Sequence, residues 1–182
     1  MQKVLSSKLL YDGILFTVRQ DEVEIKEKPY KRDIVHHKSG GVGVLAIVDE
    51  KIVFVKQYRP AVQEEVIEVP AGKLEPNEDP MITGMRELAE ECGLKAQRLH
   101  KICTMFATPG YCDEQIHLYY AEGVSSLEHK LEMDEDEEIE MIYLSLEEAL
   151  LAIQNGVIKD AKTIIAVQYA QALSLTNKLS AL

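Results

Sequence analysis

The sequence predicts an α/β protein, a helix–sheet–helix sandwich preceded by a small antiparallel β-subdomain. Three observations predict it. Period-two patterning crowds residues 1–40, strand-like runs recur across the rest, and three helical segments lie among and after them. The 182 residues suit one compact domain with a small appendage, enough to bury a core without staples. The expected division is an N-terminal strand subdomain over 1–40 and a main domain over 41–182.

The elements follow in order. LFTVRQDEVEI and YKRDIVHHK alternate as strands do. VGVLAIV and KIVFVKQY flank a polar turn at Asp49-Glu50 and read as a hairpin. EEVIEVPAG reads as a short strand ending in a Pro-Ala-Gly turn, and LHKICTMF, EQIHLYYAEG and EEIEMIYL as further strands. The first helix is expected from Pro80 to Cys92, with Asp79 as N-cap, Pro80 at the first helical position and Gly93 as the stop. The second starts at Ser145, where Glu148 completes a capping box, and ends near Asn155-Gly156. The third begins after Asp160 and covers AKTIIAVQYAQAL.

Composition excludes several function classes. A net charge of -11 argues against a nucleic-acid binder, whose affinity comes from clustered Lys and Arg. No apolar run approaches the roughly 18 residues of a membrane span, and MQKVLSSKLLYDG lacks the apolar centre of a secretory signal. Cys92, Cys103 and Cys112 follow no metal-ligand spacing and cannot all pair, so a reducing cytoplasm is the simplest setting. Neither His36-His37 nor the other histidines show metal spacing, and they read as structural or surface residues.

Chemistry concentrates in residues 71–94, AGKLEPNEDPMITGMRELAEECGL. On a helix, Met81, Met85, Leu88 and Cys92 form a stripe that should face the core. Glu87, Glu90 and Glu91 should project from the other side, at i,i+3 and i,i+4 spacing. Three carboxylates so close repel one another, and a divalent cation relieves the repulsion; Mg2+ prefers such oxygen ligands. Taken alone, the same residues also read as a solvated acidic face, partly neutralised by an Arg86–Glu90 pair.

The full spacing decides between these readings. Gly72, five residues, Glu78, seven residues, Arg86-Glu87-Leu88, one residue, Glu90-Glu91, one residue, Gly93-Leu94 resembles the Nudix box at every defining position. The resemblance implies a Nudix-type α/β/α sandwich with a mixed β-sheet and a hydrolase of nucleoside diphosphates linked to another group. QYRPAVQEEVIEVPAGKLEPNE, TPGYCDE and DEDEEIEMIYLSLEEAL resemble the ADP-ribose pyrophosphatase branch, as does Pro109, sixteen residues beyond Gly93. One departure stands near the N-terminus, where Tyr11-Asp12-Gly13 is followed by Ile14 in place of the aromatic residue on which some relatives stack adenine.

The resemblance also implies roles. Glu87 and Glu91 would ligate Mg2+, for which Mn2+ would be a possible substitute, with Glu90 as ligand or neighbour and the Ala71 carbonyl as a further ligand. Arg59 would contact the diphosphate, Arg32 the adenine or phosphate region, and Glu114 the ribose side. The catalytic set would be Glu135, Glu90 and Arg86. The proton acceptor is sought at Glu90 or in Asp134 to Glu138; aligning Ile139 with the branch's first apolar residue after its catalytic loop selects Glu135, with Glu137 as the fallback. Residues 1–40 would pair across a homodimer. The substrate would be ADP-ribose, giving AMP and ribose 5-phosphate; other nucleotide sugars, NADH and dinucleoside polyphosphates stay open, as does a non-catalytic ADP-ribose sensor.

Overall fold

The computed structural model describes residues 3–128 and 138–180. It divides into two compact units, residues 1–40 with 105–116, and residues 41–104 with 117–182. The smaller unit is built on three ten-residue strands, β1 (Lys3–Asp12), β2 (Phe16–Ile25) and β3 (Lys28–His37), paired antiparallel in the order β1-β2-β3. β1 lies where the sequence reading placed no separate strand. Its residues are exposed on both faces, so it lacks the in–out contrast from which strands are read. Lys26 and Glu27 both take positive φ in the tight turn that sets the β2–β3 register, Ile25 opposite Lys28. Residues of 105–116 join this unit through β3: the Val35 N–H donates to the Tyr111 carbonyl at 2.7 Å, and the Asp113 N–H to the Val35 carbonyl at 3.2 Å.

The larger unit is a layered sandwich. Its strands are β4 (Gly41–Leu45), β5 (Ile47–Val48), β6 (Lys51–Arg59), β7 (Glu64–Glu68) and β8 (Ala71–Lys73), followed by helix α1 (Pro80–Cys92). Then come β9 (Leu94–Lys95), β10 (Arg98–Phe106), β11 (Gln115–Glu122), β12 (Ser125–Ser126) and β13 (Glu140–Ser145). Helices α2 (Leu146–Gln154) and α3 (Ala161–Ser180) end the chain. One sheet has the order β10-β11-β4-β8, a second β13-β6-β5 with β7 on β6, and β12 pairs β9.

Alternation along β6 explains the layers. Val53 and Val55 point into one core with Val42 and Val44, against Leu88 and Cys92 of α1. Ile52 and Phe54 point the other way, into a core with Ala149 of α2 and Ala166, Val167 and Ala170 of α3. Successive strand residues face opposite sides, so one strand serves both helical layers. The expected 42–48 strand is interrupted at Ala46: β4 joins one sheet, and only Ile47 and Val48 pair with β6, across the Asp49-Glu50 turn.

The helix ends follow their capping residues. Asp79 accepts the Met81 N–H, Pro80 opens α1, and Gly93 closes it at φ 62, a left-handed conformation that favours glycine. Ser145 and Glu148 form the reciprocal capping box of α2. α3 runs beyond the expected Leu173 to Ser180, because no Gly or Pro follows to stop it. Among the described residues no helix is long and apolar enough to cross a membrane.

Candidate active site on the first helix

The stripe on α1 is rotated from the one expected. Leu88 and Cys92 are buried and Met85 partly so, but Met81 is exposed, whereas Thr83, Gly84 and Glu91 are buried. Gly84, Leu88 and Glu91 stand at i, i+4 and i+7, one helical face, and Gly84 lets α1 approach Val42, Val44 and Leu99 closely. Glu91 therefore does not project into solvent but is buried on the β8 side of the helix, one turn from Glu87. Its burial is compensated by a hydrogen bond from the Ala71 N–H, 2.9 Å from Oε2.

Glu87 lies against β8. A Cβ on Gly72 would collide with the Glu87 carboxylate, so the glycine that opens the motif is required by the glutamate fifteen positions later. Arg86 gathers the remaining acids. Its Nη1 donates to Glu87 Oε1 and Glu90 Oε2, each at 2.8 Å, while Nε and Nη2 lie 3.4 Å from the Glu78 carboxylate. Burial alone would lower the guanidinium's pKa, but Glu78, Glu87 and Glu90 together raise it. Three carboxylates around one guanidinium leave the cluster negative, and its donors are all oxygens, which suits a hard divalent cation. Among the described residues no three His, Cys, Asp or Glu side chains are already gathered as a metal cage.

Arg59, at the end of β6, is held side-on by buried Glu68 of β7. Nε donates to Oε1 at 2.7 Å and Nη2 to Oε2 at 3.0 Å. Glu68 also takes Lys162 Nζ, and Lys162 lies 3.1 Å from Asp160. Burial pushes the Glu68 carboxyl up, yet Arg59 and Lys162 more than offset this and hold it below the usual range. Glu68 and Lys162 are absent from the sequence-based set. The signal was available as Asp160-Ala-Lys-Thr, a helix start that places a lysine within an apolar helix.

Arg32 and Glu114 belong to the smaller unit. Arg32 is exposed on β3, over the Tyr30 ring at 5.9 Å from its centroid, with Nη1 donating to the Lys31 carbonyl. The loop bearing Glu114 is fixed by histidines. His36 Nδ1 is 2.6 Å from Asp113 Oδ2, and the His37 N–H donates to Asp113 Oδ1 at 2.8 Å. His37 Nδ1 accepts the Gly40 N–H at 2.8 Å, and its Nε2 lies 3.6 Å from Glu114 Oε1. Ile14 is fully exposed. Glu135, its fallback Glu137 and Asp134 lie outside the described residues.

Residues 37–166 match the model of the NUDIX domain family. The chain is 42% identical over 172 residues to the ADP-ribose pyrophosphatase of Bacillus subtilis (strain 168), covering 93% of this chain and 92% of the relative. It is equally similar, 42% over the same length and coverage, to the methanol dehydrogenase activator of Bacillus methanolicus. Among solved structures, one described as a crystal structure of an ADP compounds hydrolase superposes with a TM-score of 0.87 at 18% identity, covering 97% of this chain and 95% of that one.

Proposed function

Because the chain belongs to the NUDIX family of hydrolases, we propose that it hydrolyses the pyrophosphate bond of ADP-ribose, releasing AMP and ribose 5-phosphate, with Mg2+ as its metal. The observation that carries this reading is the complete box folded into one unit, with Glu87 seated on Gly72, Glu91 on the Ala71 N–H, and Arg86 joining Glu87 to Glu90.

Glu87, Glu90, Glu91 and the Ala71 carbonyl would hold the metal, with Mn2+ a possible substitute. Such an ion, when bound, screens the anionic phosphates and acidifies a water. The protein's own residues do the rest. Arg86 keeps two carboxylates together and limits their repulsion. Arg59 takes a diphosphate oxygen, Arg32 the adenine or phosphate region, and Glu114 the ribose side. Glu135 accepts the proton of the attacking water. Residues 1–40 act as a dimerisation arm, for which the two exposed faces of β1 are suited. The cysteines, none of them paired in a disulfide, accord with a reducing cytoplasm.

The test is turnover across ADP-ribose, another nucleotide sugar, NADH and a dinucleoside polyphosphate, with products identified. ADP-ribose should give the highest kcat/KM and equal amounts of AMP and ribose 5-phosphate. A higher value for another substrate overturns the substrate reading. Glu135→Gln should lower kcat by about 10²-fold; a loss with Glu137→Gln instead moves the base by two positions.

The activator relative favours a second reading, in which the chain acts on a partner dehydrogenase. Adding the chain and its Glu87→Gln variant to a methanol dehydrogenase assay separates the two. Activation by both proteins supports an effect independent of hydrolysis, and activation by neither removes this reading.

A further inference from the structure

We propose that Glu68 and Lys162 are positioning residues for Arg59, an ion chain anchored on the start of α3 that grips one edge of the guanidinium and presents the other to a substrate phosphate. This rests on the reading of Arg59 as a diphosphate contact.

The chain of contacts is continuous. The Val69 N–H donates to Thr163 Oγ1 at 2.8 Å, and the Thr163 hydroxyl to Asp160 Oδ2 at 2.6 Å. Lys162 Nζ lies 3.1 Å from the same Asp160 oxygen and bonds Glu68 Oε2. Glu68 then receives Arg59 through Nε and Nη2. Glu68, Lys162 and Thr163 are buried, while the Arg59 side chain is 42% exposed.

Two features give this chain a purpose beyond packing. The side-on fork fixes both the place and the plane of the guanidinium, whereas a single contact would leave it free to swivel. It spends Nε and one Nη2 proton, so the Nη1 edge points away from Glu68, and a guanidinium edge matches phosphate geometry. Arg59 also lies within electrostatic reach of Glu91, the box carboxylate on the Ala71 N–H. As a stabilising device the arrangement is poor. Its central pair, Glu68 and Lys162, is withdrawn from water, and such pairs are often replaced by apolar residues without loss of stability. Lys162 already has Asp160 as a partner, so its bond to Glu68 adds a second fixed point beneath Arg59.

The experiment is a double-mutant cycle on the full-length protein with ADP-ribose, comparing wild type, Glu68→Gln, Arg59→Ala and the pair. Glu68→Gln should lower kcat/KM by about tenfold when Arg59 is present and by less than twofold when it is absent, since coupled residues are not additive. An equal loss in both backgrounds overturns the positioning role and leaves Arg59 as a substrate contact. An Arg59→Ala protein with unchanged kcat/KM instead removes the reading of Arg59 itself, and the positioning role with it. If Glu68→Gln fails to fold, Lys162→Met enters the same cycle; it leaves the Arg59–Glu68 fork in place but unanchored, and the same two outcomes decide.

Discussion

The carboxylate of Glu87 occupies the space that a Cβ on Gly72 would fill. The two residues lie on different elements, β8 and α1, and the absent Cβ leaves room for the carboxylate against the strand.

Gly72→Ala should therefore reduce activity while sparing the fold. The colliding atoms are the far end of a flexible side chain, and Gly72 does not have positive φ, so the backbone accepts alanine and Glu87 gives way. A displaced catalytic-site group of this kind costs about 10²-fold in rate. Paired measurements of kcat/KM and thermal midpoint check this; unchanged kcat/KM would mean that the position of Glu87 is immaterial.

The box glutamates should separate into two behaviours. Glu87→Gln should abolish most turnover with little change in thermal midpoint. Glu91→Gln should lose turnover as well and cost about 1 kcal/mol, the order of one weakened hydrogen bond, because it accepts the buried-side Ala71 N–H. Chelation with EDTA should stop activity, and Mg2+ should restore it. Near-wild-type rates for either variant at saturating Mg2+ would remove its role as ligand.

Acidification should release the Glu68 cluster. A carboxyl held below its unfolded pKa contributes stability above the ordinary glutamate range, and that contribution is lost as pH falls through the depressed value. Unfolding followed from pH 6 downwards should show the wild type losing stability below about pH 4.5, the ordinary glutamate range. Glu68→Gln should cost about 3 kcal/mol at neutral pH, because it leaves a buried cation less well paired. Its acid limb should be shallower; an identical limb would show that Glu68 does not carry the dependence.

Removing residues 1–40 should disturb more than the proposed dimer arm. Val35 pairs with Tyr111 and Asp113, and His36 and His37 hold Asp113, so the deletion also strips the supports of the segment bearing Glu114. The truncated chain should sediment as monomer or aggregate and bind ADP-ribose weakly. A stable, fully active monomer would refute both the arm and the support.

Local signals made much of this structure legible. Asp79, Pro80 and Gly93 bounded α1 correctly, and Ser145 with Glu148 began α2, because capping depends on a few neighbouring atoms. Periodicity served less well where both faces of an element are alike. It gave no signal for β1, and it chose Met81 over Glu91 because polarity alone cannot reveal that Ala71 supplies a partner for a buried carboxylate. The union of residues 105–116 with the N-terminal strands, and the Glu68–Lys162 contact across 94 positions, arise from tertiary packing and leave no local pattern. The roles proposed for Arg32, Arg59, Glu114 and Glu135 rest on resemblance, because no local pattern of charge or spacing marks a substrate contact.

The strand β6 sends Val53 and Val55 to one core and Ile52 and Phe54 to the other. Adjacent letters of the sequence thus belong to separate mechanical compartments. A cavity opened at Val55 is felt beneath α1, where the glutamates are aligned, whereas one opened at Phe54 is felt beneath α2 and α3. An engineer who wants a hardier enzyme has a natural place to begin. Stabilising substitutions in the layer of α2 and α3, away from the Asp160–Thr163 turn, can raise heat tolerance while the carboxylates on the opposite layer keep their alignment.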